Sequence, residues 1–277
     1  MADVTASGVR FHVERIAPRG IAAGSLPTAP TVVFMHGMAV DDMASFYFTL
    51  AAPLAATGAD VILYDQRGQG LSERPRSGYT IDDAVADLFG ILDAMAVTEP
   101  VVLIGNSFGG FVAGHAAFAR PERVAGIVFI EAICAGPVAA DWVESMVNSL
   151  SVTALNLEHE RTHEQCATAG LRKSAKKLGS IYDLLNGTTL IEDLAATPPL
   201  PERSLAAIEC PTLAIFGEHS FLLPAADDLV RNVPDCAVEI LPDVNHSVLV
   251  EATGPLCALI VDWLVRLAPV ELAVATR

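Results

Sequence analysis

Four stretches of the chain, Val32-Val33-Phe34-Met35, Val61-Ile62-Leu63-Tyr64, Val101-Val102-Leu103-Ile104 and Ile127-Val128-Phe129-Ile130, are apolar at every position. A strand built from such a run cannot turn alternate side chains to water, so it must be covered on both faces. Three further runs, Val9–Ile16, Thr212–Phe216 and Ala237–Leu241, complete the strand set. Helix-length amphipathic stretches lie between them at 46–56, 80–95, 107–119 and 247–267. Thr80 is placed as an N-cap, with Asp82 and Asp83 in the first turn that follows. Strands alternating with helices predict an α/β fold with a mostly parallel sheet flanked by helices.

The alternation stops between about Pro137 and Ala207. Helix-like segments at Asp141–Leu150, Leu155–Ala169 and Leu171–Leu185 lead into the joint Pro198-Pro199-Leu200-Pro201. The expected organisation is a core of residues 1–136 and 207–277 with a helical cap insertion at 137–206.

One motif carries chemistry. Gly105-Asn106-Ser107-Phe108-Gly109-Gly110 follows a buried strand and opens a helix. This G-x-S-x-G spacing holds a serine on a sharp strand-to-helix turn, with glycines where side chains would clash. There the hydroxyl sits near a helix N-terminus, whose backbone N–H groups can stabilise an oxyanion. An ordinary glycine turn or a phosphate loop is the competing reading. The chain lacks G-K-[ST] and G-x-G-x-x-G here, which disfavours a nucleotide. Three other segments sit after strands: His36-Gly37-Met38, Asp65-Gln66-Arg67-Gly68-Gln69-Gly70-Leu71-Ser72, and Leu241-Pro242-Asp243-Val244-Asn245-His246-Ser247.

With these motifs in this order, the chain resembles the α/β-hydrolase family over nearly all of its length outside the cap. The resemblance implies Ser107 as nucleophile and His246 as its base. It implies an oxyanion hole from the backbone N–H groups of Met38 and Phe108, and a substrate site between core and cap. The reading of the residues agrees, because a serine hydroxyl needs a nearby base and His246 lies in a loop after a strand. Asp65, Arg67, Gly68 and Gly70 are read as shaping their loop. His36, Gly37, Trp142 and Met146 are the expected substrate-binding residues. Cofactor and metal are expected to be absent.

The orienting acid departs from the family pattern, which places it as G-x-x-D after the penultimate strand. That segment reads Gly217-Glu218-His219-Ser220, so a serine stands at the aligned position. The favoured substitute is Glu131, at the end of the run Val124–Ile130, where haloalkane dehalogenases carry their acid. Glu218, or no acid at all, remain alternatives.

Composition narrows the partners. Acids outnumber bases 33 to 17, for a formal charge of −16. No basic cluster exceeds Arg172-Lys173 or Lys176-Lys177, so nucleic acid and anionic membrane are disfavoured. No apolar run approaches the ~20 residues of a membrane span. Met1–Ile16 carries Asp3, Arg10, His12, Glu14 and Arg15 and does not read as a signal peptide. Five cysteines without C-x-x-C read as reduced thiols. The expected location is the cytoplasm and the expected partner a small molecule. His159-Glu160-Arg161-Thr162-His163 matches H-E-x-x-H but is read as a solvated helix face.

The expected reaction is acyl transfer from a small, fairly hydrophobic ester-like molecule. The alternatives are an eliminating lyase that releases a carboxylate in natural-product biosynthesis, a C–C bond hydrolase suggested by the G-N-S-F-G-G form, and a non-catalytic ligand receptor.

Overall fold

The computed structural model describes residues 2–19, 30–162 and 172–267. Its eight strands are β1 (Ala2–Ala6), β2 (Val9–Ile16), β3 (Thr31–Met35), β4 (Asp60–Tyr64), β5 (Val101–Asn106), β6 (Val124–Ile130), β7 (Thr212–Gly217) and β8 (Cys236–Leu241). They form one sheet in the order β1-β2-β4-β3-β5-β6-β7-β8. β1 and β2 run antiparallel, and the other six pair in parallel.

The uninterrupted apolar runs are the central strands, and their pleat divides them between two cores. Val33 and Met35 of β3 join one core, while Val32 and Phe34 join the other. Leu103 and Ile104 of β5 divide in the same way. Helices cover both faces. They are α1 (Ala44–Phe46), α2 (Ala52–Ala56), α3 (Ile81–Ala94), α4 (Phe108–Ala119), α5 (Gly136–Thr162), α6 (Arg172–Gly187), α7 (Leu190–Ala195), α8 (Ala225–Asn232), α9 (Val248–Glu251) and α10 (Thr253–Leu267). Thr80 caps α3 in a reciprocal capping box with Asp83.

Four features differ from the sequence expectation. β1 was not foreseen: it is short, and it is held by its antiparallel register with β2 rather than by a long apolar run. The stretch 46–56 is α1 and α2 joined by a π-helical turn, Tyr47–Ala51, with Phe46 stacked on Phe34 at 4.5 Å.

The first two cap segments form a single helix through Thr162, within which Ser151 and Thr153 turn their hydroxyls back onto the carbonyls of Val147 and Ser149. The C-terminal stretch breaks at Ala252. Pro255 lacks an N–H and fits the first turn of a new helix, α10.

In its described part the chain between β6 and β7 forms α5, α6, α7 and the 3-10 turn Glu202–Ala207, with one parallel bridge between Ala135 and Leu200. It rests on the core through Trp142, whose ring lies 5.4 Å from that of Phe111 on α4. Arg74 donates to Ser180, and the Tyr79 N–H donates to Asp193, which ties α6 and α7 to the loop after β4. The side chains of the H-E-x-x-H segment lie outside the described residues. No helix among the described residues is long and apolar enough to cross a membrane.

Candidate active site

The site is assembled at the carboxyl ends of β3, β5, β6 and β8. Ser107 bridges β5 and α4 at φ 52° and ψ −115°, a conformation L-residues rarely adopt. Its neighbours explain how the turn closes. A Cβ on Gly105 would stand 2.3 Å from the Gly110 nitrogen, and one on Gly109 would stand 2.0 Å from the Met35 carbonyl oxygen. The Ser107 N–H donates to the Ile130 carbonyl at 2.9 Å, which pins the turn to the adjacent strand.

Glu131 ends that strand, also with a positive φ, 53°. Its carboxylate is completely buried and takes three donors. The Gly217 N–H reaches Oε1 at 2.5 Å, the Ser220 hydroxyl donates to Oε2, and His246 Nδ1 lies 2.8 Å from Oε2. A carboxylate only accepts, so this contact puts the ring proton on Nδ1 and leaves Nε2 able to accept one. Strain at two adjacent strand ends, Ser107 and Glu131, is the kind that clusters at working sites.

Ser107 and His246 line one cleft of about 300 Å³ with Gly37, Met38, Val40, Asp41, Ser45, Asn106, Ser247, Leu249 and Val250. Phe108 opens α4, so its N–H lies in the unsatisfied first turn. Met38 and Phe108 both border a second, water-sized void beside Arg67 and Asp87.

The other expected residues are placed as follows. Gly37 lines the cleft and donates its N–H to Asp41 Oδ2 at 2.8 Å. His36 is fully buried. Its Nε2 accepts from the Gln66 N–H at 3.0 Å, and Nδ1 contacts the Gly37 carbonyl at 2.7 Å, so the ring braces the loop rather than lining the cleft. Trp142 packs on Phe111, and Met146 packs against the same core, so neither is brought to the cleft. Their helical spacing marks the buried stripe of α5. Glu218 is exposed and accepts from the Asp243 N–H at 3.0 Å, away from His246.

Asp65 accepts from the Met43 and Leu71 N–H groups, and Arg67 pairs with buried Asp87 at 2.6 Å, as expected of a loop frame. Ser220 as a partner of Glu131, and Leu249 and Val250 as cleft walls, had no signal in the sequence beyond lying next to motifs.

The sheet order, the strand–turn–helix at Ser107 and the helical segment between β6 and β7 define an α/β-hydrolase fold. The family model described as serine aminopeptidase, S33, matches residues 27–253, and the chain belongs to this family of α/β-hydrolases.

It is 27% identical over 242 residues to 2-hydroxymuconate semialdehyde hydrolase of Pseudomonas putida, covering 77% of this chain and 83% of that one. It is 31% identical over 132 residues to AB hydrolase superfamily protein YfhM of Bacillus subtilis, covering 46% of this chain and 41% of the relative. The esterase EaEST from Exiguobacterium antarcticum shares the fold, with a TM-score of 0.71, 17% identity, and coverage of 95% and 98%. The protein is thus a hydrolase by family.

Proposed function

We propose that the protein is a cofactor-independent serine hydrolase acting on an ester-like carbonyl of a small molecule. His246 Nε2 takes the proton of Ser107 as Oγ attacks the carbonyl carbon. Glu131 holds the ring in the required tautomer and stabilises the imidazolium that forms. The Met38 and Phe108 N–H groups receive the oxyanion. The imidazolium returns its proton to the leaving group. Water then releases the acyl group by the same steps in reverse, and the segment 137–206 serves as the cap.

The observation that carries this reading is the 2.8 Å contact between His246 and buried Glu131, in a cleft that also holds the strained Ser107. It supports an acid other than one at position 220 and weighs against a non-catalytic receptor. The carbon–carbon hydrolase reading is less favoured, because a muconate-type substrate carries a carboxylate and no Lys or Arg among the described residues lines the cleft. Elimination from a natural product would use the same Ser–His pair, and product analysis separates it from hydrolysis.

The test is intact mass after exposure to a fluorophosphonate. One adduct, lost in Ser107→Ala, supports an activated serine. An unlabelled, folded wild-type protein overturns it.

A further inference from the structure

The cleft beside Ser107 carries a fixed negative charge that the acyl-transfer mechanism does not use. Asp41 lines it, half-buried, in the loop between β3 and α1. Its Oδ2 accepts from the Gly37 N–H at 2.8 Å, and its Oδ1 accepts from the Asp42 N–H at 3.0 Å. A carboxylate offers about four acceptor positions, so about two remain for other donors. Among the described residues the cleft contains no Lys or Arg to take them, and its remaining polar side chains are those of Ser45, Asn106, Ser107, His246 and Ser247. Asp42 and Asp65 border the neighbouring groove on the far side of the same loop.

The two backbone donors hold the carboxylate in place without offering it a counter-charge. Asp41 is therefore a preorganised anionic wall, anchored one residue before the Met38 N–H. Carboxylate substrates entering this cleft would meet a like charge with no counter-ion among the described residues. A substrate ammonium would meet free lone pairs at a site partly shielded from water, where charge pairing is stronger than at an open surface. Val40, Leu249 and Val250 supply apolar wall in the same cleft.

The geometry points to Asp41 as a specificity-determining residue that selects amine-bearing, cationic substrates and rejects carboxylate-bearing ones. This inference rests on the serine hydrolase reading. It also predicts that negative charge near the oxyanion hole slows the enzyme on neutral esters.

The test uses three p-nitrophenyl esters of equal chain length, ending in an ammonium, a methyl and a carboxylate. In the wild type, kcat/KM is expected to fall in that order by about tenfold per step. Asp41→Asn keeps an oxygen for the Gly37 N–H and should bring the three within about threefold, chiefly by raising the carboxylate ester. Asp41→Glu keeps the charge and should keep the order. The wild-type spread should shrink at high salt, and the Asn variant's should not. An unchanged order in Asp41→Asn, or a wild-type order that salt does not alter, overturns the proposal. If the Asn variant does not fold, the wild-type salt dependence decides alone.

If no ester is turned over, the hydrolase reading has failed. The charge selection is then read separately, as the thermal shift given by an alkylammonium against an alkylcarboxylate. A larger shift with the ammonium sustains the role of Asp41, and equal shifts end it.

Discussion

Glu131 and His246 are 115 residues apart in sequence and meet at 2.8 Å, with the carboxylate sealed from solvent and the imidazole partly open to the cleft. Burying a carboxylate is costly unless its lone pairs are occupied, and here Gly217, Ser220 and His246 occupy them. Glu131→Gln keeps the shape, but it removes the charge and favours the wrong ring tautomer. It should lower kcat on an activated ester by about 10³–10⁴ with KM little changed. A loss under tenfold would show that His246 is oriented by something else.

Ser220 stands where the family places its acid, and its hydroxyl already touches Glu131 Oε2. The two acid positions thus converge on one point beside His246. In a Glu131→Gln background, Ser220→Asp should recover at least about tenfold in kcat, because a carboxylate returns to the Nδ1 side of the ring. In the wild-type background the same substitution puts two buried carboxylates together. Urea unfolding there should show a loss of about 3 kcal/mol. The ordering sinks if Ser220→Asp is tolerated beside Glu131 and does not rescue Glu131→Gln.

Legibility followed the range of the physics. The strands at Val32–Met35 and Val101–Ile104 were readable because covering both faces leaves a local signature. The turn at Ser107 was readable because Gly105 and Gly109 admit no Cβ. His246 was placed by resemblance and Glu131 was chosen among alternatives, since which acid reaches the imidazole depends on strand order and not on local sequence. Trp142 and Met146 pack on the core side of the cap, and the sequence could not place them because a cap helix has the same apolar stripe whether it faces a ligand or the core. Asp41 lies in the loop after β3 and belongs to none of the motifs. Its anchoring by Gly37 depends on how the loop folds back.

The conformation of Ser107 gives a stability signature independent of any substrate. Ser107→Ala and Ser107→Gly both remove the nucleophile, but only glycine is at ease at φ 52°. At most exposed helix or strand positions alanine is the more stable of such a pair. Here the glycine variant should exceed the alanine variant by about 1 kcal/mol in urea, because relieving the strain outweighs the extra chain entropy. The reverse order would mean that the turn stores no strain.

His115 sits two turns into α4, nearly buried, with its ring 4.5 Å from Phe111 and its Nε2 atom without a partner among the described residues. Burial holds its pKa down to about 4, against an ordinary value of 6.5. The folded state therefore binds this proton less readily than the unfolded chain does. Its contribution to stability is complete above pH 6.5 and is lost as pH falls from 6.5 towards 4. Lowering the pH from 7 to 5 should cost of order 2 kcal/mol through this residue alone. His115→Phe removes the proton site and the orphaned nitrogen while keeping a ring against Phe111. It should flatten that part of the acid limb in thermal melts at the two pH values. A variant as acid-sensitive as the wild type would assign the limb to other groups.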